Sequence, residues 1–150
     1  MIALGLLLSL QAALAQTAPQ DQAPPPPTPA VEVVMSGFAS DDGQALVLVF
    51  EGEAGFPVDL KRAARTANAP IQGGRATLRL GLPPGTYALA IIHDEDKDGD
   101  LDTFLGIPTE GLGCSNNAKG SFGPPPFSAA KFTVGAAGAK QAITMVYIGG

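Results

Sequence analysis

Tryptophan is absent from this 150-residue chain, and cysteine and histidine occur once each. The lone Cys114 excludes an internal disulfide and is expected as a partly buried free thiol. The lone His93 gives little support to acid–base or nucleophilic catalysis, which needs partner groups at a fixed geometry. A packed or capping histidine is the expectation, although beside six carboxylates its charged form would be favoured. Only 15% of the residues are charged, and the sequence pI is near 4.6. Nucleic-acid binding, which needs a basic patch, is therefore excluded. No cysteine follows the apolar start, so a lipid-anchored N-terminus is not indicated.

Residues 2 to 14 are almost wholly apolar, and Ala13-Leu14-Ala15 fits a small-x-small cleavage site before Gln16. Residues 1–15 are expected to form a signal peptide, too short to span a bilayer comfortably and without the usual preceding Lys or Arg. The chain is then periplasmic or secreted, with no membrane span after cleavage. Residues 16–30 carry Pro19, Pro24 to Pro27 and Pro29 and show no apolar periodicity. They are expected as an extended, Pro-rich disordered linker. Residues 31–150 remain for one domain with a modest core.

What the chain does have is acid in one place. Asp94 to Asp102 reads D-E-D-K-D-G-D-L-D. It holds six of the 14 acids and one of the nine Lys and Arg residues, so the whole net charge of -5 falls there. Such neighbours repel by roughly 1 kcal/mol per pair at about 4 Å even in water. A cation that neutralises them lets a fold keep them, and oxygen donors at this density suit a hard one, calcium first.

The spacing D-x-D-x-D-G-x-x-D matches the first nine positions of a twelve-residue calcium loop. Asp94, Asp96 and Asp98 would supply side-chain oxygens and Gly99 the sharp turn. Asp100 would offer its backbone carbonyl, and Asp102 would act directly or through water. The match fails at the twelfth position, which is Leu105 rather than a bidentate Glu. Neither flank shows an amphipathic helix, so a strand-flanked loop is expected, with Glu110 as the missing ligand brought back by a turn. A solvated acidic turn without metal is the competing reading.

The rest of the chain shows β-type patterning. Residues 31–38 form a first strand candidate, and Asp41-Asp42-Gly43 a turn. Gln44 to Glu51 is apolar on both faces, as in a central strand. Residues 56–69 are ambiguous, with a short helix or irregular crossing over 61–67. Arg75 to Leu80 alternates with Ala76, Leu78 and Leu80 inward. Tyr87 to His93 forms a buried strand, and 131–134 and 142–148 close the set around a turn at 135–138. The prediction is an all-β fold, an antiparallel β-sandwich of immunoglobulin-like or prealbumin-like type with one long ordered loop. That loop spans nearly the whole stretch from the acidic cluster to Lys131. Its Phe104, Phe122 and Phe127 are expected to anchor it to the sheets, while Asn116 and Asn117 cap turns or take left-handed backbone.

Several stretches together are distinctive. They are His93-Asp94-Glu95-Asp96, Asp98 to Thr103, Leu105 to Gly111, Ser115 to Ala118, and Gly123 to Phe127 with Ala130. Pro83-Pro84-Gly85-Thr86-Tyr87 precedes them and Tyr147 follows. This set resembles the DUF2141 family of exported bacterial proteins of unknown function. The resemblance covers residues 31–148 and implies a signal-bearing, single-domain β-sandwich with no established activity. Relatives often carry Asn where this chain has Asp96 and Asp98, and an aromatic residue at Cys114. The loop here is thus the more acidic, and the thiol has no special role.

Two functions from different classes follow. One is an exported cell-envelope binding or structural module stabilised by calcium, with an envelope protein or a glycan as partner. The other is an envelope hydrolase using the long loop, with His93 and Glu110 or Asp102 as acid and base. Sugar hydrolysis by the Glu110–Asp102 pair would need aromatic platforms, which nine aromatic residues without tryptophan hardly supply. A carrier of a small apolar ligand between the sheets ranks last, because the strand residues themselves fill a core of this size.

Overall fold

A computed structural model describes residues 27–104 and 107–148. The expected signal peptide and most of the linker lie outside these residues. The first strand, β1 (Ala30–Ser36), buries Val31, Val33 and Met35 on one face and turns Glu32, Val34 and Ser36 outward. β2 (Gln44–Phe50) is buried on both faces from Ala45 onward. A single 3-10 turn at Leu60–Arg62 leads into β3 (Arg65–Ala69), and β4 (Arg75–Gly81) buries Ala76 and Leu80. β5 (Gly85–Asp94) is the longest strand and is buried from Tyr87 to its end. The long connection holds a two-residue hairpin, β6 (Thr103–Phe104) with β7 (Ile107–Pro108), then β8 (Leu112–Cys114), a 3-10 turn at Ser115–Asn117 and the one-turn helix α1 (Phe127–Ala130). β9 (Phe132–Val134) and β10 (Ala139–Thr144) follow.

Two sheets face one another. The smaller has the order β10-β1-β4 and the larger β3-β2-β5-β8. β5 shares its outer edge between two partners: residues 85–87 pair with β9 and residues 90–92 with β8. Between the sheets lies the main core, with Val33, Met35 and Leu80 from one side and Val47, Leu89 and Ile91 from the other. A second apolar layer covers the outer face of the larger sheet. There Leu46, Leu48, Phe50, Ala90, Ile92 and Cys114 are roofed by Phe56, Leu60, Leu101 and Phe127. The double burial of β2 and β5 explains their unbroken apolar runs, Ala45 to Phe50 and Tyr87 to Ile92. Each large aliphatic side chain so buried contributes about 1.5–3 kcal/mol.

The all-β sandwich expectation holds, with four local departures. β1 and β10 run parallel, because the Gly135–Gly138 turn carries the chain from β9 in the large sheet to the far edge of the small one. β3 carries no clear strand signal: R-T-A-N-A has only alanines on its inner face, and its pairing with β2 makes it a strand. The closing strand begins at Ala139 and ends at Thr144; beyond it the Met145 amide donates to the Ser36 carbonyl and Val146 pairs with Leu112. At the front, Ala30, expected as linker, already belongs to β1, and the Leu82 amide donates to the Pro29 carbonyl.

Candidate cation site

β5 delivers the acidic loop. Its last residue, Asp94, is fully buried and pairs with Gln44 at the start of β2. The Gln44 side-chain amide donates to Asp94 Oδ2 at 2.8 Å, and the Gly99 amide donates to the same oxygen at 3.0 Å. Asp94 Oδ1 accepts the Asp98 amide at 3.1 Å. The loop thus winds around the first carboxylate. Asp96 accepts the Asp98 amide and Asp98 the Asp100 amide, so successive acids brace the turn. Lys97 and Gly99 take positive φ of 59° and 76°, which lets the chain reverse within so few residues.

Glu110 closes the arrangement. One carboxylate oxygen accepts the Glu95 amide at 3.2 Å and the other the Asp102 amide at 3.1 Å. A single buried carboxylate therefore ties the two ends of the loop together. Thr109 supports it, donating to the Asp102 carbonyl from its amide and its hydroxyl. The turn between β1 and β2 backs the loop: Gly43 has φ of 72°, and a β-carbon there would collide with the Asp94 carbonyl oxygen.

Among the described residues two acidic triads form, Asp94–Asp96–Asp98 and Asp96–Asp102–Glu110, each with carboxylate oxygens within 4.8 Å of one another. Asp96 belongs to both. That limit is about twice a calcium–oxygen distance of about 2.4 Å, so an ion could bridge two oxygens of a triad directly. Asp100 belongs to neither, and its carboxylate accepts the Leu101 amide at 2.9 Å. The structure thus brings together five of the six acids expected from spacing. The bond from the Asp102 amide to Glu110 joins residues that spacing treats separately. An open recess of about 530 Å³ lies over the second triad, lined by Asp42, Gly43, Glu95, Asp96, Asp102, Thr109 and Glu110.

The electrostatics divide these carboxylates. Burial works to raise Asp94, but the bonds from Gln44, Gly99 and Asp98 outweigh it and hold the carboxyl below its ordinary range. The Asp100 amide draws Asp98 down, yet desolvation and the charges of Asp96, Asp102 and Asp94 leave it raised. Burial raises Glu110 most, with the charges of Asp102 and Asp94 adding to it against the two amides it accepts.

His93 takes no part in the recess. It is fully buried, with Nε2 donating to the Asp42 carbonyl at 2.8 Å and Nδ1 2.7 Å from the Tyr147 hydroxyl. That hydroxyl accepts the Ala39 amide, and the Glu95 carboxylate stands 3.7 Å from Nδ1. Phe38 and Tyr147 meet the ring edge-on. The histidine is a packed strut between the β1–β2 turn and the C-terminal segment, and no acid–base pair with Glu110 or Asp102 is assembled. Among the described residues, the lining of the recess includes no aromatic side chain. Cys114 is buried, and burial pushes its thiol up to about 12, so it is no nucleophile.

The long loop is anchored, though not as its three phenylalanines foretold. Phe127 packs edge-on against Phe56, which meets Phe50 in the same way. Phe122 instead stands fully in solvent, and the Phe104 side chain lies outside the described residues. Most of the holding is done by polar groups: Ser115 Oγ donates to the Ala130 carbonyl at 2.6 Å and accepts the Leu89 amide. Asn116 and Asn117 take positive φ as expected, and they clamp the loop to Lys131, Gln141 and Thr144. The roles of Asp42, Gln44 and Thr109 were not foreseen. Asp42-Gly43 is marked in the sequence only as a turn, and its pairing with a loop fifty positions on leaves no local trace.

No curated protein and no solved structure matches the chain significantly. A family model described as "Uncharacterized protein conserved in bacteria (DUF2141)" matches residues 33–143, which includes both sheets, the acidic loop and Glu110. The chain belongs to the DUF2141 family.

Proposed function

We propose that this protein is an exported, calcium-stabilised β-sandwich module with a binding or structural role in the cell envelope. The observation that carries the reading is the pair of carboxylate triads sharing Asp96, closed by Glu110 from the far side of the loop. Each carboxylate oxygen has more than one lone pair, so a ligand can keep its amide and still face an ion. Beside burial, the charges of Asp94 and Asp102 help to raise both Glu110 and Asp98, and a divalent cation would relieve that repulsion. Calcium fits better than magnesium, because it accepts six to eight oxygen donors in varied geometry, whereas magnesium wants a strict octahedron.

Export rests on the apolar start and the small-x-small site, and millimolar calcium outside the cytoplasm fits a dissociation constant of about 0.1–1 mM. The partner is an envelope protein or a glycan. Calorimetric titration of calcium into the chelator-treated full chain tests the site. One binding event that is lost in an Asp96→Asn, Asp98→Asn double variant supports it. Unchanged binding in that variant refutes the ligand assignment.

A further inference from the structure

The two sheets differ on their outer faces. The larger carries the roof over Leu46, Leu48 and Ile92, whereas the smaller is bare among the described residues. Val31, Val33 and Met35 of β1, Ala76 and Leu80 of β4 and Ile143 of β10 are buried, so the residues that alternate with them point outward. The register sets these in three rows across the strands: Lys140–Glu32–Arg79, Ala142–Val34–Thr77 and Thr144–Ser36–Arg75. The face thus carries three bases and one acid in a chain whose net charge is -5. Arg75, Arg79 and Lys140 are exposed, and among the described residues neither they nor Glu32 enter an ion pair. Asp41, beside the Arg75 end, has its carboxylate oxygens bonded to the Gly73 and Gly74 amides. An open recess of about 300 Å³ marks the other end, where Glu32, Arg79, Gly138 and Lys140 line it with neighbouring alanines. That end is the far one from the acidic loop, because Asp94 pairs with Gln44, just past the turn that follows Ser36. About 13 Å of strand separates Glu32 from Ser36, more than a Debye length of about 8 Å at physiological salt, so the charge of the loop is screened there.

We infer that the outer face of the small sheet binds an acidic polysaccharide, centred on the Lys140–Glu32–Arg79 row. This deepens the binding role proposed above by naming a glycan as the partner, and it draws nothing from the cation site. The bases do not converge on one small anion. Arg79 and Lys140 stand two strand spacings apart, about 10 Å, and Arg79 and Arg75 about 13 Å apart along β4. Charges spread over a flat surface suit a chain with repeated carboxylates. Glu32, an acceptor set between two bases, calls for hydroxyl donors on the same ligand, and a uronic acid carries both on each residue. The middle row of Ala142, Val34 and Thr77 holds no aromatic or long aliphatic anchor of the kind a protein interface uses. Binding through exposed charges alone is weak and falls with salt.

The test is an amide-resolved NMR titration of the full chain with oligogalacturonate. Dextran serves as the neutral sugar, and poly-glutamate as the polyacid without hydroxyls. Oligogalacturonate should shift amides in residues 30–34, 77–81 and 138–142 and leave the acidic loop unmoved. Dextran should shift none of them, and poly-glutamate should bind at least about threefold more weakly. Arg79→Ala with Lys140→Ala should weaken oligogalacturonate about fivefold to tenfold, whereas Arg79→Lys with Lys140→Arg should stay within about threefold. Lys61→Ala with Lys119→Ala removes as much charge elsewhere and should stay within about twofold. No binding, shifts that map outside this face, or equal losses in the two alanine pairs overturn the inference. Poly-glutamate that binds as tightly as oligogalacturonate gives the face to an acidic protein and overturns the glycan assignment. The cation site is decided separately by the calcium titration, whose failure would leave these results standing.

Discussion

At the scale of single residues, Gly43 and Glu110 decide whether the loop can form. Gly43 holds a positive φ where a β-carbon would strike the Asp94 carbonyl. Gly43→Ala is expected to cost about 1–3 kcal/mol or more in urea denaturation, since the strain and the collision both fall on the folded state. Glu110→Ala removes the acceptor for the Glu95 and Asp102 amides, and a loss of about 1–3 kcal/mol should follow in the same assay. Asp41 gives a test away from the acidic loop. The amides of Gly74 and Gly73 hold its carboxyl below the ordinary value of 3.8. A depressed folded value contributes stability above pH 3.8 and loses it as pH falls through the lower folded value. Asp41→Asn should therefore lower the neutral part of the stability profile, flatten its acid limb, and match the parent chain at pH values below the folded value. The acids of the loop are legible in the sequence because their spacing is local. Asp42, Gln44 and the strut made by His93 and Tyr147 are not, because each depends on a partner about fifty residues away.

Legibility at the scale of elements follows burial. β2 and β5 announce themselves as unbroken apolar runs because both faces are covered, one by the opposite sheet and one by the roof. β1 and β4 show alternation because one face is wet. β3 is silent because a short edge strand with alanines on its inner side needs no β-branched residues. The parallel pairing of β1 with β10 is equally invisible, since direction within a sheet is set by where the chain crosses over. The roof has its own keystone in Phe56, which stands edge-on to Phe50 and Phe127 at centroid distances of 5.4 and 5.9 Å. Phe56→Ala should lower stability by about 2–4 kcal/mol in urea denaturation and loosen α1, whose first residue is Phe127. The exposed Phe122, by contrast, should be replaceable by Ser with a change of less than about 0.5 kcal/mol.

For the whole molecule, the central claim is that a sandwich with no disulfide is held at one end by an ion. The β1–β2 turn, the end of β5, Glu110 and the C-terminal Tyr147 all meet around the acidic loop. Stability should therefore respond to calcium as a global property, rather than as a local change in the loop alone. On this proposal, at tenfold excess over its dissociation constant the ion would add about 1.4 kcal/mol. The most direct measurement is thermal unfolding of the full chain in millimolar CaCl2, in equal MgCl2 and in EDTA. The account predicts a midpoint about 3–8 °C higher in calcium than in EDTA, with magnesium close to EDTA. Identical midpoints in all three solutions, or an equal rise with magnesium, would contradict it and return the loop to a solvated acidic turn.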